Sequence, residues 1–226
     1  TPVRRAPVQE SVPTRKVSRK SPVLGSMPAL PRSSGRGSQR ALGTFVLREP
    51  KSKSTRSVRT LAKALLKSTQ EAETRCVLVT SAEAKEGKSV LLANVAVALA
   101  QSGTKVLLMD VNYSHPSQHV LLSDILSLAT GADSNVPELS MDLLESGRAV
   151  MRTQLETLRV VPAWPRPANP GEILRSVAMQ DFLRQSAAGY DLILMDAPSV
   201  AEGDNLDALT ELADATLLVM NFAGSE

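Results

Sequence analysis

Short runs of apolar residues alternate with amphipathic stretches over most of the chain. Five runs are apolar nearly throughout and have the length of strands, and they lie at 75–80, 105–110, 158–162, 191–196 and 215–220. Continuously apolar strands are typical of parallel sheets that are buried on both faces. Because helical patterns separate these runs, the sequence predicts an α/β fold, a mostly parallel sheet with helices on both faces.

The helices are predicted from periodicity and from signals at their ends. The first has apolar residues at helical spacing, namely Val58, Leu61, Ala62, Leu65 and Leu66. A second helix covers 88–101 and stops at Ser102 and Gly103. Asn169 as a cap, Pro170 in the first turn and Glu172 three residues on predict another helix start. That helix is predicted to continue over 179–186, and further helices are predicted near 119–128, 141–146 and 206–212.

The first 50 residues differ in composition from the rest of the chain. They contain seven of the 14 prolines, many Ser, Arg and Lys residues, and almost no apolar periodicity. Such a segment cannot bury enough apolar surface to offset the entropy lost on ordering. We therefore predict a disordered basic arm over 1–50 and a folded domain over 51–226.

Charge divides the chain in a similar way. Residues 1–59 carry 14 Lys and Arg residues against Glu10 and Glu49, whereas residues 60–226 carry 12 basic and 21 acidic residues. The arm could bind an anionic membrane surface or an acidic partner, or be a solvated linker to a neighbouring domain. Nucleic acid is disfavoured as a partner, because Phe45 is the only aromatic residue of the arm and the acidic domain repels phosphate backbones.

A strand followed by a Gly-Lys-Ser loop and a helix is the most informative motif. The apolar run continues into SAEAKEGKS at 81–89, and an apolar helix follows. In phosphate-binding loops the backbone N–H groups wrap the phosphates, the lysine reaches the β/γ oxygens and the hydroxyl holds Mg²⁺. The pattern is incomplete, since Ala82 stands where such loops have their first glycine. The predicted nucleotide contacts are Glu86, Gly87, Lys88, Ser89 and Val90.

Two of the predicted strands end on a carboxylate. Asp110 and Asp196 both follow apolar runs, and ligands of open parallel sheets bind at the carboxyl ends of the strands. Two acids beside a phosphate loop can hold one Mg²⁺ and orient an attacking hydroxyl, although an acid at a strand end can also simply cap the next helix. We predict Lys88, Asp110 and Asp196 as catalytic residues, and Ser89, Asp110 and Asp196 as metal ligands.

Other chemistries have little support. His115 and His119 are four residues apart, but Pro116 lies between them and no third ligand is near, so exposed loop histidines are expected rather than a metal site. The sequence has no G-x-S-x-G pattern, which leaves a serine nucleophile without support. A single cysteine, Cys76, excludes an internal disulfide and fits a reducing compartment.

Several separate motifs resemble one known family. They are 79–81 with 86–89 as the P-loop, 107–110 as the Walker A′ strand, 190–198 as the Walker B strand, and PANPGEIL at 167–174. Together they resemble the bacterial tyrosine kinases (BY-kinases) of capsule and exopolysaccharide assembly, over residues 49–226. These kinase domains are deviant-Walker ATPases, alongside the Min- and Par-type positioning ATPases. The segment at 167–174 is the most diagnostic, because positioning ATPases do not usually carry it.

The resemblance implies γ-phosphoryl transfer from ATP to tyrosine, often between neighbouring subunits of a ring. By position, Lys88 contacts the β- and γ-phosphates, Ser89 ligates Mg²⁺, and Asp110 and Asp196 hold the metal and its waters. The implied cofactors are ATP or ADP and Mg²⁺. The implied partners are a membrane-embedded polysaccharide co-polymerase or a neighbouring domain, and further copies of the chain. The implied location is the cytoplasm, at the inner face of the plasma membrane.

The sequence also departs from the family. Lys85 stands where the family usually has glycine, and a side chain costs about 1–2 kcal/mol there if the backbone is left-handed. Asn112 replaces the second acid of the Walker A′ pair, and Ser114 replaces a basic residue. The helix before the core normally carries a glutamate and two arginines at three-residue spacing, and Arg56, Arg59 and Ala62 occupy those places here. The only tyrosines are Tyr113 and Tyr190, so no tyrosine-rich tail follows.

Three functions remain open for the folded domain. The favoured one is a degenerate relative that binds nucleotide, has weakened or lost kinase activity and regulates exopolysaccharide biosynthesis and export, because Lys85 and Asn112 affect both positioning and charge. The second is an active ATP-dependent protein-tyrosine kinase. The third is a positioning ATPase, which Glu83 disfavours because such loops carry a signature lysine at that place.

Overall fold

Six strands form one sheet in the computed structural model, which describes residues 23–26, 28, 42–126, 139–163, 165–203 and 205–221. In chain order the strands are β1 (Cys76–Ser81), β2 (Val106–Asp110), β3 (Met151–Arg152), β4 (Leu158–Val161), β5 (Leu192–Asp196) and β6 (Ala215–Val219). Across the sheet they lie in the order β3-β4-β2-β5-β1-β6. β3 is antiparallel to β4, and the other neighbouring pairs are parallel. The predicted α/β class with a mostly parallel sheet is confirmed.

Helices cover both faces of this sheet. They are α1 (Phe45–Arg48), α2 (Lys53–Glu71), α3 (Lys88–Gln101), α4 (Gln118–Leu121), α5 (Met141–Glu145), α6 (Pro170–Arg175), α7 (Val177–Gly189) and α8 (Leu206–Leu212). Alternate strand residues face opposite layers: Val77 and Val79 pack with α1–α4, whereas Leu78 packs with α5–α8. The two layers explain why the inner strands are apolar at every position. Among the described residues, no helix combines the length and the apolar character needed to cross a bilayer.

The predicted elements are confirmed with small changes at their ends. The helices predicted at 88–101 and 206–212 have the observed bounds, and the first predicted helix is longer than expected, from Lys53 to Glu71. Its start is set by Ser52, whose Oγ accepts a hydrogen bond from the N–H of Thr55 at 3.1 Å. The helix predicted near 119–128 is the four-residue α4, and 127–138 lie outside the described residues.

The helix start at Asn169 is observed, but its predicted cap is wrong. The side chain of Asn169 makes no capping hydrogen bond. The helical segment instead breaks at Ser176, whose Oγ accepts the N–H of Met179 at 3.1 Å and caps α7. One predicted helix is therefore two, α6 and α7.

The folded part of the chain begins before the predicted boundary at residue 50. Phe45 and Val46 of α1 are buried in the core. Asn94 of α3 is also buried; its Oδ1 accepts the N–H of Val46 at 3.1 Å and its Nδ2 donates to the carbonyl of Leu42 at 2.7 Å. Most of the remaining predicted arm lies outside the described residues. Residues 42–48 thus belong with the domain rather than with the arm.

Candidate functional site

The loop between β1 and α3 has the backbone expected of a phosphate-binding turn. Lys85 and Gly87 are both left-handed, with φ of +66° and +84°. Within the described part of the chain, the backbone N–H groups of residues 84 to 90 donate no hydrogen bond. A row of unpaired N–H donors that continues into the start of a helix favours an anion such as phosphate.

Glu86 fixes this loop through its side chain. Its carboxylate accepts the N–H of Asn221 at 3.0 Å and that of Glu83 at 3.0 Å, and these bonds lower the pKa of Glu86. Asn221 follows β6, so the carboxylate joins the loop to the end of a strand that neighbours β1. The Glu86 carboxylate already accepts two protein N–H groups. The predicted contact between Glu86 and a nucleotide is therefore assigned to the backbone N–H of Glu86.

Ser89 and Asp196 meet directly. The Oγ of Ser89, in the first turn of α3, donates to Oδ1 of Asp196 at 3.1 Å. Asp196 is fully buried at the end of β5, which pairs with β1. Since the bond uses the hydroxyl hydrogen, the lone pairs of the oxygen stay available to a cation.

Asp110 lies beside Asp196 at the end of the neighbouring strand, and both carboxyls are buried. Its Oδ2 accepts the N–H groups of Ser117 and Gln118 at 2.8 and 2.9 Å, and its Oδ1 accepts that of Asn112 at 3.2 Å. Burial, together with the charge of Asp196, raises the pKa of Asp110 to about 8. Burial also raises the pKa of Asp196. Two adjacent buried acids that resist double ionisation favour a divalent cation between them.

Lys88 is buried at the start of α3. Its charge acts on three carboxylates, those of Asp196, Glu86 and Glu202. Among the described residues its ammonium forms neither an ion pair nor a hydrogen bond. Its positive charge therefore acts at the acid-bearing strand ends, where the β- and γ-phosphates of a nucleotide would need a cation. Val90, the last predicted contact, is half-buried against the core, so it can offer its N–H but not its side chain.

Gln118 is a site residue that the sequence did not predict. Its Nε2 donates to Oδ2 of Asp196 at 2.7 Å and to the carbonyl of Ser89 at 3.1 Å, while its backbone N–H bonds Asp110. The side chain is fully buried. A lone glutamine in a short polar segment carries no motif, so only its position in the fold identifies it.

Side-chain contacts join the loop after β2 to the loop after β5. His115 Nδ1 lies 3.1 Å from Oε1 of Glu202, and Oε2 of Glu202 accepts the Oγ and the N–H of Ser199 at 2.7 and 2.9 Å. The Ser199 bonds lower the pKa of Glu202. Asn112 braces the same turn, because its Oδ1 accepts the N–H of His115 at 3.1 Å. The Asn112 amide, which cannot act as a base, is therefore a structural part of this turn.

The donor set fits magnesium better than zinc. Within the described residues no three His, Cys, Asp or Glu side chains form a metal-binding group. A cation at this edge would have two carboxylates, Asp110 and Asp196, and the hydroxyl of Ser89. Mg²⁺ prefers such oxygen donors and takes its remaining ligands from phosphate and water. The residues present therefore fit Mg²⁺ brought in with a nucleotide.

Similar proteins are known, although no protein-family model matches the chain. The tyrosine-protein kinase YwqD of Bacillus subtilis is 31% identical over 191 residues, which cover 84% of this chain and 78% of that kinase. The solved BceF tyrosine kinase domain has a TM-score of 0.67 at 26% identity, and the match covers 87% of this chain and 79% of that one. The chimerical protein CapA2B2, at 23% identity and a TM-score of 0.71, covers 91% of this chain and 83% of its own and shares the fold.

Proposed function

The chain belongs to the bacterial tyrosine-protein kinases, and from that premise we propose that it binds ATP or ADP with Mg²⁺ but transfers phosphate to tyrosine weakly or not at all. Its role is regulatory, in the biosynthesis and export of an exopolysaccharide. One observation carries the nucleotide part of this proposal. Lys88, Ser89, Asp110 and Asp196 converge at one edge of the sheet, beside a loop of unpaired N–H groups.

Each part of this edge has a role toward a nucleotide. The N–H groups of residues 84 to 90 donate to phosphate oxygens, and Lys88 places its charge at the β- and γ-phosphates. Ser89, Asp110 and Asp196 hold Mg²⁺ directly or through its waters. The cation, when bound, neutralises charge on the transferred phosphate. Phosphoryl transfer depends almost wholly on such positioning and charge.

Two residues support weakened transfer. Asn112 is an amide where the family has an acid, and its oxygen is already used by the N–H of His115. The side chain of Lys85 stands in a left-handed position, with φ of +66°, which costs about 1–2 kcal/mol for a residue other than glycine. Asn112 removes a candidate base, and Lys85 adds a backbone energy cost to the loop that must surround the phosphates.

An active tyrosine kinase is the second candidate, and Asp110 favours it. Its carboxylate is retained at the end of β2, beside that of Asp196, so one acid could suffice to take the proton of a tyrosine hydroxyl. A positioning ATPase is not proposed, because the family is that of the tyrosine kinases.

The proposed partners rest on the family resemblance. A membrane-embedded polysaccharide co-polymerase or a neighbouring domain would hold the chain in the cytoplasm at the inner face of the plasma membrane. The basic N-terminal arm adds attraction to anionic lipid, and copies of the chain could associate as in the ring-forming kinases.

The test measures nucleotide binding and tyrosine phosphorylation on the same protein. The chain is incubated with Mg²⁺ and labelled ATP, with a glutamate–tyrosine copolymer as acceptor because Tyr113 is buried and Tyr190 only half-exposed. We expect bound nucleotide, with phosphotyrosine at least about tenfold below that formed by YwqD in the same assay, a barrier difference of about 1.4 kcal/mol or more.

Substitutions sharpen this assay. Lys88→Met should lower nucleotide affinity at least about tenfold, because it removes a charged donor to phosphate, whereas Lys67→Met on the exposed face of α2 should leave it unchanged. Lys85→Gly combined with Asn112→Asp restores both family residues and should raise phosphotyrosine formation. Transfer by the unchanged chain at the rate of YwqD would overturn the weakened-kinase proposal, and absence of nucleotide binding would overturn both candidates.

A further inference from the structure

Gln118 is a fully buried polar side chain that connects three elements of the site. Its Nε2 donates a hydrogen bond to Oδ2 of Asp196, at the end of β5, over 2.7 Å. The same Nε2 donates to the carbonyl of Ser89, at the start of α3, over 3.1 Å. Its backbone N–H donates a hydrogen bond to Oδ2 of Asp110, at the end of β2, over 2.9 Å. One residue therefore bonds both acids and the turn that carries the Ser89 hydroxyl.

The other end of the same carboxamide has no partner. Oε1 of Gln118 is buried and accepts no hydrogen bond from the described residues, and neither does the neighbouring buried Oγ of Ser117. A buried acceptor without a donor costs about 1–3 kcal/mol, and such groups are rare in folded proteins unless a water, an ion or a ligand completes them. Both of these atoms belong to the two residues whose backbone N–H groups donate to Asp110.

We propose that Gln118 is a positioning residue of the metal–phosphate site. Its Nε2 sets the orientation of Asp196 against Ser89, and its Oε1 accepts a hydrogen bond from a water of the bound magnesium. This inference rests on the proposed nucleotide function and assigns one side chain to the metal part of it. Mg²⁺ usually keeps several waters when it binds with a nucleotide. An uncharged acceptor beside the two carboxylates can accept a hydrogen bond from one of those waters.

The geometry distinguishes this role from simple packing. If Gln118 only filled space, a side chain of equal volume could replace it. The positioning role also requires a hydrogen-bond donor that faces Asp196. Gln118→Met keeps the length and volume but has neither an N–H donor nor a carboxamide oxygen. Gln118→Glu keeps the length and shape but turns an acceptor toward Asp196 where a donor stood. Both variants should therefore act alike if the hydrogen bonds matter.

The experiment is a magnesium titration of the binding of a fluorescent ATP analogue. It is carried out on the full chain, on Gln118→Met, on Gln118→Glu and on the matched control Gln154→Met, whose glutamine is exposed and donates to the carbonyl of Asp124. Binding in EDTA and thermal unfolding without nucleotide are measured for each protein. The metal-free binding reports on the loop and Lys88, whereas the magnesium dependence reports on the acids, Ser89 and Gln118.

We expect both Gln118 variants to need at least about tenfold more Mg²⁺ for half-maximal binding, a change of the size seen when residues that orient metal ligands are substituted. Their metal-free binding should stay within about twofold of the unchanged chain, because the loop donors are untouched. Gln154→Met should match the unchanged chain in both measurements. Unchanged magnesium dependence in whichever Gln118 variant folds would overturn this inference while leaving the proposed function intact. Failure of the unchanged chain to bind any magnesium nucleotide would overturn both.

Discussion

At the scale of single residues, the site is an energetic compromise. Asp110 and Asp196 are adjacent across β2 and β5, and both are buried. Backbone N–H groups donate to Asp110, and the side chains of Ser89 and Gln118 donate to Asp196, yet burial still raises the pKa of both acids. Residues that are poorly placed for the protein alone are well placed for a cation, which is the usual sign of a binding site rather than of a structural pair.

The first prediction at this scale concerns pH. The pKa of Asp110 is about 8 in the folded chain, against an ordinary value of 3.8, so the folded state binds more protons between these values. Its contribution to stability is therefore lost as the pH rises from about 4 to about 8. Asp110→Asn removes this titration, and the loss of unfolding free energy between pH 5 and pH 8 should shrink by about 1 kcal/mol or more.

Urea unfolding in EDTA at pH 5 and pH 8 measures the effect. Asp181→Asn, at a partly exposed acid that pairs with Arg184 on α7, is the matched control and should keep the pH dependence of the unchanged chain. Parallel pH profiles for Asp110→Asn and the unchanged chain would contradict the prediction.

At the scale of elements, the ends of helices α6 and α7 determine the local structure around the diagnostic segment at 167–174. α6 ends where Ser176 stops it, and the Ser176 hydroxyl donates to the carbonyl of Ile173 at 2.7 Å while accepting the N–H of Met179 at 3.1 Å. One hydroxyl thus closes one helix and opens the next. Asn169, at the start of α6, contributes no side-chain cap.

Ser176→Ala should therefore lower the free energy of unfolding by about 1 kcal/mol, the usual cost of a lost N-cap. Asn169→Ala should change it by less than about 0.5 kcal/mol, as expected where no such bond is lost. Urea midpoints of the two variants, with unchanged slopes, give the comparison. Equal losses at the two positions would show that Ser176 is not the cap that matters.

The elements that the sequence predicted are those fixed by local pattern. Strand and helix positions follow from runs and periods of apolar residues, and the α3 bounds follow from the glycines on either side of it, Gly87 and Gly103. For the loop, the glycine expected at position 85 raised a left-handed backbone only as a condition, and the φ of +66° at Lys85 meets that condition.

What the sequence missed depends on distant partners. Gln118 acquires its role from Asp196, 78 positions away along the chain, and Glu86 from Asn221, 135 positions away. The two-residue strand β3 exists because Met151 pairs with Val160, and two residues are too few to show a period. Long-range contacts of this kind leave no local signal in one sequence.

At the scale of the whole molecule, the domain extends toward the N-terminus through α1. Its apolar residues lie in a short segment beside basic and proline-rich sequence, so composition alone placed them in the arm. Packing on α3, with Asn94 bonding the backbone of Leu42 and of Val46, makes them part of the core.

Two truncations test this extent of the domain. A chain that begins at residue 51 loses the burial of Phe45 and Val46. It should be less stable than a chain that begins at residue 41 by about 3–6 kcal/mol, because each buried side chain contributes about 1.5–3 kcal/mol. Guanidinium unfolding of both chains, monitored by far-ultraviolet circular dichroism, measures the difference. Equal stability would mean that the core ends at the predicted boundary.

The order of the strands has a consequence for how the molecule moves. β1 and β5, which carry the phosphate loop and Asp196, lie between other strands, whereas β3 and β6 form the two borders of the sheet. Amide deuterium uptake would begin at those borders and reach Leu78 and Leu194 last, because inner strands open only in rare, near-global events. The strands that carry the candidate site thus open last, after the strands at the two borders of the sheet.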